Sequence, residues 1–415
     1  MSCLKRERKM SELKGIGYLR RKLASKQSRV DLRYRYYEMK QIVKDMRIST
    51  PPQLIHMTET LGWCAKAVDC LADRLVFREF RDDNFDLTSI FQMNNPDVLF
   101  DSAELSAMIA SCSFIYISPD ENGYPRMQVI DGRNATGELD PITGLLTEGY
   151  AVLQRDSDSD TPIMEAYFEP NRTTYLEKGK AYMVVNHQVP YPLLAPIIFK
   201  PDEKRPFGHS RISRACMSIV DAALRTVKRS EISAEFYSFP QKYATGVSQE
   251  SQRDIDNWKA AMSAMMYFEK DEDGDHPIVG AFQQGSMTPH IEQFRMFAAQ
   301  FAGETGLTMD DLGFPTENPS SAEAIKAAHE NLRLTARKAQ RTFGTGFLNA
   351  GMLAACLRDQ YAYQRRAFYL TKPVWEPVFE ADTSMLAGIG DAIYKLNQAV
   401  PNYADAEKIR DLTGF

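Results

Sequence analysis

Several short segments carry residue types that could catalyse a reaction or bind a ligand. His329 and Glu330 begin like the helix of a zinc protease, but the position of the second histidine ligand is Arg333. Gly179-Lys180 is followed by alanine rather than by the serine or threonine of a phosphate-binding loop. We therefore predict no metal site, no ATPase and no catalytic residue from these segments.

An acidic run, Asp156, Asp158 and Asp160, resembles the start of a calcium loop. Such a loop needs glycine at its sixth position and glutamate at its twelfth, where this chain has Thr161 and Tyr167. We therefore expect a solvated turn between two strands rather than a metal site.

Composition and charge indicate a globular protein with an acidic body. The 415 residues are 44% hydrophobic and 25% charged, and 50 basic against 55 acidic residues give a net charge of −5. Residues 1–47 hold 15 basic and 5 acidic residues, or +10, which leaves −15 on the rest. We expect a solvated basic helix at the N-terminus, with contact to DNA or to acidic neighbours as the alternative.

The cysteines and the apolar runs indicate a protein made in the cytoplasm. No apolar run has the length of a membrane span, and no signal-peptide stretch follows the basic N-terminus. The cysteines form no C-x-x-C pair, so we expect buried free thiols and no cofactor. They are Cys3, Cys64, Cys70, Cys112, Cys216 and Cys356.

The spacing of apolar residues predicts a sheet flanked by helices in the first half. Helices are expected over 11–47, 54–75 and 97–111. The runs 114–117 and 127–130 flank Asn122-Gly123, which is a strong hairpin signal. Further strands are expected over 150–154, 164–168, 173–177 and 182–185.

The second half is predicted to be mainly helical. A long helix is expected from Ser210, as its N-cap, to 239, followed by a small α+β insert and a second helix that opens at Thr288-Pro289. A loop then leads to a capping box at 320–323 and a long helix. We expect this helix to stop at Gly344 and Gly346, with a further helix beyond them to about Tyr369.

This order of elements resembles that of the portal proteins of tailed double-stranded DNA phages. Residues 205–212 are similar to the start of the family's first channel helix, and 301–307 with 311–313 to the end of its second. Residues 318–325 resemble the start of the helix behind its tunnel loop, and Tyr36-Tyr37-Glu38 its N-terminal tyrosine pair. The resemblance covers about 30–400.

The resemblance implies an α+β portal fold with a helix-flanked antiparallel β wing, a two-helix stem, a small α+β clip, a tunnel loop with a long helix, and a helical crown. By position, the basic arm is 1–50, the wing 51–210, the stem helices 211–239 and 288–306, the clip 240–287, the tunnel loop 307–320, the long wing helix 321–350, and the C-terminal wing and crown 351–415.

The resemblance also implies a structural role rather than an enzymatic one. Portals form a ring, twelve-fold in the phage head, at one capsid vertex of the virion. A separate terminase ATPase drives the genome into the head through the ring, and the genome is later ejected through the same channel. The implied partners are further copies of the chain, the major capsid protein, a head-tail adaptor, the large terminase subunit, a scaffold protein, and double-stranded DNA that passes without sequence specificity. Assembly is expected in the host cytoplasm, with no membrane and no cofactor.

Three sets of candidate residues follow from the resemblance. In the stem, ion pairing with neighbouring subunits is the alternative to contact with DNA. The sets are Phe314, Thr316, Glu317 and Asn318 in the tunnel loop; Arg225, Lys228, Arg229 and Arg295 in the stem; and Asp271, Glu272, Asp273 and Asp275 in the clip, where an adaptor or the terminase would bind.

Two other classes of protein fit the sequence less well. A head-tail adaptor ring also passes DNA, but such adaptors are much shorter than 415 residues. A phage-head enzyme, such as a nuclease or transferase, needs a carboxylate cluster or a nucleophile with a base, and the acids here are scattered.

Overall fold

A computed structural model describes residues 13–42, 58–238, 242–245, 278–281, 286–315, 322–379, 383–401, 403–406 and 408–409. Within this part of the chain, the helices are α1 (Ile16–Tyr37), α2 (Trp63–Ala72), α3 (Leu87–Gln92), α4 (Pro96–Ala110), α5 (Arg214–Ser238), α6 (Thr288–Thr305), α7 (Ala322–Ala328), α8 (Glu330–Arg358) and α9 (Thr383–Ala399).

The described strands are β1 (Phe77–Arg81), β2 (Cys112–Pro119), β3 (Pro125–Asp131), β4 (Ala135–Leu139), β5 (Leu146–Arg155), β6 (Pro162–Glu169), β7 (Arg172–Glu177), β8 (Lys180–Asn186), β9 (Leu194–Ile198), β10 (Lys242–Thr245), β11 (Ile278–Ala281) and β12 (Lys372–Trp375).

The single antiparallel sheet predicted for the first half is instead two antiparallel sheets. One has the strand order β4-β5-β6-β7-β8 and the other β3-β2-β9. The predicted hairpin is the β2-β3 pair, and Gly123 in its turn has φ +81°, a conformation that glycine adopts without strain. The four strands predicted after it are confirmed as β5 to β8.

Alternation along the strands sets the layers. Tyr150 and Tyr167 pair across β5 and β6 on the outer face of the five-stranded sheet, where they pack against Leu19 of α1. The inner face meets the three-stranded sheet, since the hydroxyls of Tyr116 and Tyr175 lie 2.6 Å apart. The chain therefore stacks α1 on one sheet and that sheet on the other.

The basic helix α1 is docked on the sheet by buried acids, which corrects the expectation of a solvated helix for Arg20 but not for Arg21, Arg29 and Arg35, which are exposed. The Glu165 carboxylate accepts two hydrogen bonds from Arg20, at 3.0 and 2.7 Å. Glu148, only 1% exposed, accepts the backbone N–H groups of Lys14 and Gly15, both at 3.0 Å, at the start of the helix. A carboxylate there also interacts favourably with the helix dipole.

The expected helix break at Gly344 and Gly346 is wrong, because α8 continues through both glycines to Arg358. A Cβ atom at Gly344 would lie 2.6 Å from Cγ of Pro373, and one at Gly346 would lie 2.7 Å from Cδ1 of Ile197. The two glycines therefore let α8 approach β12 and β9 closely. The helical run breaks earlier, at the turn between α7 and α8. In the described stretch 359–369, where the further helix was expected, residues 365–368 form a short 3-10 helix.

Candidate functional site

Helices α5 and α6 form an antiparallel pair, which we call the helix pair. Near one end, Ser213 Oγ donates to Glu304 Oε1 at 2.9 Å. Near the other, Ser233 Oγ lies 3.3 Å from His290 Nε2. The 25 residues of α5 make a rod of roughly 37 Å.

A buried arginine fixes one end of the helix pair to the sheets and helices formed by residues before 211, which we call the α/β body. Arg211, 7% exposed, donates from Nε to the Ala67 carbonyl of α2 at 3.1 Å and from a terminal nitrogen to the Thr305 carbonyl of α6 at 2.6 Å. Burial lowers the pKa of Arg211. A cation at the last carbonyls of α6 also complements the dipole of that helix. Arg211 therefore ties α2 and α6 to the start of α5.

The serine that caps α5 is not the predicted one. Ser213 Oγ accepts the N–H of Cys216 at 3.1 Å, and the helix begins at Arg214. Ser210 instead donates to the Ile109 carbonyl at 2.6 Å, which holds the segment before the helix against α4. The prediction placed the cap about one turn too early.

A short two-stranded sheet lies between the helix pair in sequence. Strands β10 and β11 pair antiparallel, with Lys242 opposite Ala281 and Thr245 opposite Ile278. The described ends of the predicted clip therefore come together between the end of α5 and the start of α6. The predicted contact residues Asp271, Glu272, Asp273 and Asp275 lie outside the described residues.

The four predicted stem cations differ in exposure. Arg225, Lys228 and Arg229 on α5 are half-buried, whereas Arg295 on α6 is exposed. Lys228 and Arg229 already interact within the chain, so they are not free charges. The surface of α6 also exposes apolar side chains, with Ile291 at 62% and Met296 at 47%.

The loop after α6 is held at its base by a polar cluster. The Asp311 carboxylate accepts the N–H and the hydroxyl of Thr308, at 2.8 and 2.9 Å, and Nε2 of His329 donates to it at 3.2 Å. Burial acts to raise the pKa of Asp311, but the hydrogen bonds from Thr308 and His329 outweigh it and lower that pKa. The contact links Asp311 to His329, the residue before α8.

Both ring nitrogens of His329 face acceptors. Nδ1 lies 2.9 Å from the Ile325 carbonyl while Nε2 faces Asp311. The two contacts fix the orientation of the His329 ring between the Ile325 carbonyl and Asp311.

Phe314, the described member of the predicted tunnel-loop set, is half-buried. Its ring centroid lies 5.8 Å from Phe294 of α6, which in turn stacks on Trp63 of α2 at 5.1 Å. Gly313, with φ +87°, supplies the turn that directs Phe314 onto this aromatic stack. Thr316, Glu317 and Asn318 lie outside the described residues.

Sequence reasoning missed Arg211, Asp311 and His329 as positioning residues. Thr308-x-x-Asp311 has the spacing of a capping box, a signal that could have found the loop base. Within the described part of the chain, no group of three or more His, Cys, Asp or Glu could hold a metal ion. No described helix is long and apolar enough to cross a membrane.

Comparison with known proteins identifies the family. The model of the family "Phage portal protein, SPP1 Gp6-like" matches residues 16–360. The portal protein of Mycobacterium phage D29 is 26% identical over 341 residues, covering 77% of this chain and 69% of that protein, and that of Mycobacterium phage L5 is 24% identical over the same lengths.

Solved structures of a gene transfer agent particle are also similar. A chain of the native virion and a chain of the native neck, computed with C12 symmetry, each match with a TM-score of 0.47 and 14% identity. The matches cover 85% of this chain and 89% and 90% of those chains. Because the family model matches residues 16–360, which is most of the chain, the chain belongs to the SPP1 Gp6-like family of phage portal proteins.

Proposed function

We propose that twelve copies of this chain form a closed ring at one vertex of the phage head, as the channel for genome packaging and ejection. The family is structural, so the alternative of a phage-head enzyme is set aside. A separate terminase supplies the energy for packaging. The ring assembles in the host cytoplasm with the major capsid protein, and with a scaffold protein if one is used, and becomes part of the virion.

The observation that carries this proposal is the anchored helix pair. Arg211 fixes one end of the pair to the α/β body, and the β10-β11 sheet joins the two helices in sequence at the other. An anchored pair repeated around an axis makes a wall that keeps its shape while DNA passes. The exposed Ile291 and Met296 on α6 then pack against the neighbouring copies.

The predicted clip, 240–287, docks the head-tail adaptor and, at another stage, the large terminase subunit. Support comes from the β10-β11 pairing, which closes the base of this insert and leaves 246–277 between the paired strands. Replacing residues 271–275 by a Gly-Ser turn is expected to preserve assembly but to weaken tail attachment or packaging. Normal infectious yield from that variant would contradict the assignment.

The stem cations contact passing DNA, or they pair with acids of neighbouring subunits. Substitution of Lys228 and Arg229 can distinguish between these roles, because both residues lie on α5 and are half-exposed. Reversing both charges is expected to change the packaging velocity at low salt, since phosphate contacts depend on salt. An unchanged velocity in assembled rings would assign the two cations to contacts within the protein.

The tunnel loop is the narrowest part of the channel, with Phe314, Thr316, Glu317 and Asn318 as its DNA-facing candidates. Its base is held by the Asp311–His329 contact and by the packing of Phe314 on Phe294.

The ring is tested by mass. Twelve subunits of 47.1 kDa give an assembly of about 565 kDa, which mass photometry of the purified protein resolves from a monomer. A protein that stays monomeric, or forms open filaments of varying mass, would contradict the proposal.

A further inference from the structure

One face of α8 carries a stripe of cationic and small polar residues. Lys338, Arg341, Thr345 and Asn349 recur at intervals of three or four residues, and Thr342 lies four residues after Lys338, which places them on one side of the helix. The other side of α8 is buried in the core. Lys338, Arg341 and Thr345 are exposed and Thr342 is half-buried, whereas Asn349 is buried at the inner end of the stripe.

This stripe is one wall of a groove of 670 Å³, which we call the basic groove. The loop after β9, with Lys200, forms another wall. Among the described residues that line the groove, three are cations and none is a carboxylate. That local charge is opposite to the net charge of −5 of the whole chain.

The cations of the basic groove are not neutralised within the described chain. Lys200, Lys338 and Arg341 make no ion pair with any described residue. Two acids of the flanking loops, Asp202 and Asp140, bond to residues of their own loops. Asp202 accepts from His209 at 2.6 Å, and Asp140 accepts from Thr143 at 2.7 Å.

Both burial and neighbouring cations act on Lys200. Burial lowers the pKa of Lys200, and the nearby cations Arg211 and Lys338 lower it further. Glu304 opposes them, but it accepts a hydrogen bond from Ser213 and does not line the groove. An anion in the groove would relieve the repulsion among these cations.

The other polar groups of the groove also suit an anion. Asn349 Oδ1 accepts from Arg365 Nε at 2.8 Å, which leaves the amide nitrogen of Asn349 as a donor. The hydroxyls of Thr342 and Thr345 donate to carbonyls of their own helix. The lining therefore adds one donor and small side chains that leave room for a ligand.

The cations continue beyond the basic groove. A neighbouring groove of 460 Å³ is lined by Arg337 and Trp375 and shares Lys338 and Arg341 with the first. Lys338 and Arg341 therefore border both grooves. A charged surface that spans two grooves fits a linear polyanion better than a single small anion.

We propose that the basic groove and the adjacent Arg337 bind the phosphate backbone of double-stranded DNA, at a site separate from the channel residues. Contacts to phosphates hold DNA without reading its sequence. That property suits a protein that handles a whole genome, and in this respect the inference rests on the proposed function.

The test uses assembled rings and a DNA that cannot enter the channel. A covalently closed circular duplex cannot be threaded through a closed ring, so its binding reports sites outside the channel. Its affinity is measured by fluorescence anisotropy across a salt series, for wild type and for Lys338→Gln combined with Arg341→Gln. The matched control, Arg333→Gln combined with Arg366→Gln, removes two other surface cations, one of which is paired with Glu330 at 2.6 Å.

We expect the Lys338–Arg341 variant to bind the circle more weakly at low salt. The slope of log K against log salt should fall by about 1.8 for each subunit that contacts the DNA, or about 0.9 for each lost contact. The control variant should keep the wild-type slope. Equal slopes in all three proteins would overturn the proposal. It would also be overturned if inorganic phosphate saturated the groove in calorimetry while the substitutions left DNA binding unchanged, because the site would then hold free anions only.

Assembly is measured on the same samples. If the Lys338–Arg341 variant fails to form rings while the control assembles, the groove is an interface with an acidic surface of a neighbouring copy, and the DNA proposal is wrong. If wild type itself forms no ring, the proposed function fails. The same substitutions, tested on the unassembled chain with linear DNA, still decide whether the groove binds phosphates.

Discussion

Replacing Gly344 by alanine tests the close packing of α8 on β12. In an open helix, alanine is favoured over glycine by about 1 kcal/mol. Here the new Cβ would lie 2.6 Å from Cγ and 3.0 Å from Cβ of Pro373, atoms of a stiff ring. Overpacking of this kind costs about 1–3 kcal/mol. We therefore expect Gly344→Ala to lower the free energy of unfolding by up to about 2 kcal/mol, despite the gain in helix propensity.

The matched control is Gly388→Ala in α9, where a Cβ would meet no atom within 4 Å. That variant should gain up to about 1 kcal/mol, so the two substitutions should have opposite signs. Urea unfolding followed by circular dichroism, at equal protein concentration and assembly state, measures both. If Gly344→Ala stabilised the protein as much as Gly388→Ala, the account of α8 packing would be refuted.

Three further outcomes are expected. Arg211→Met leaves two buried carbonyls without a charged donor and should lower the free energy of unfolding by about 3–6 kcal/mol. The control, Arg214→Met at the exposed start of α5, should change that free energy by less than about 0.5 kcal/mol. Equal effects of the two substitutions in urea unfolding would show that Arg211 is not the anchor. The pKa of Asp311 is lowered, so its stabilising contribution is present above the ordinary aspartate pKa of about 3.9 and is lost as pH falls through the lower folded value. The difference in thermal stability between wild type and Asp311→Asn should therefore be steady from about pH 5 to 6 and shrink in more acid buffer. A difference that grew in acid would contradict this prediction. Glu317→Lys should assemble normally yet slow DNA translocation or loosen DNA retention, because a ring of lysines would attract the phosphates, and the defect should ease as salt rises. If the variant matched wild type in packaging assays at every salt concentration, Glu317 would not line the channel.

Much of the fold could be predicted because its signals are local. The alternation along β5 to β8 and the Asn122-Gly123 turn are readable in single segments, and the strands formed as expected. The continuity of α8 could not be read in this way. Gly344 looks like a helix breaker in sequence, and only the approach of Pro373, 29 residues later, explains why glycine is needed inside the helix.

The candidate site was predicted less completely, for the same physical reason. Arginine is usually a surface residue, so nothing in the sequence marks Arg211 as buried between Ala67 and Thr305. The basic groove likewise depends on the fold, which brings Lys200 beside a helix that is more than 130 residues away in sequence. The docking of α1 could not be predicted for the same reason, because the partner of Arg20 is Glu165 on the distant strand β6.

The central claim is that anchored helix pairs line a channel in a closed ring. Electron microscopy of the purified assembly, viewed end-on and reconstructed without imposed symmetry, tests it most directly. The account predicts a closed twelve-fold ring with α5 and α6 around a central opening, and the α/β body further from the axis. A ring whose opening is bordered by the α/β body, with the helix pairs at its outer rim, would contradict the account.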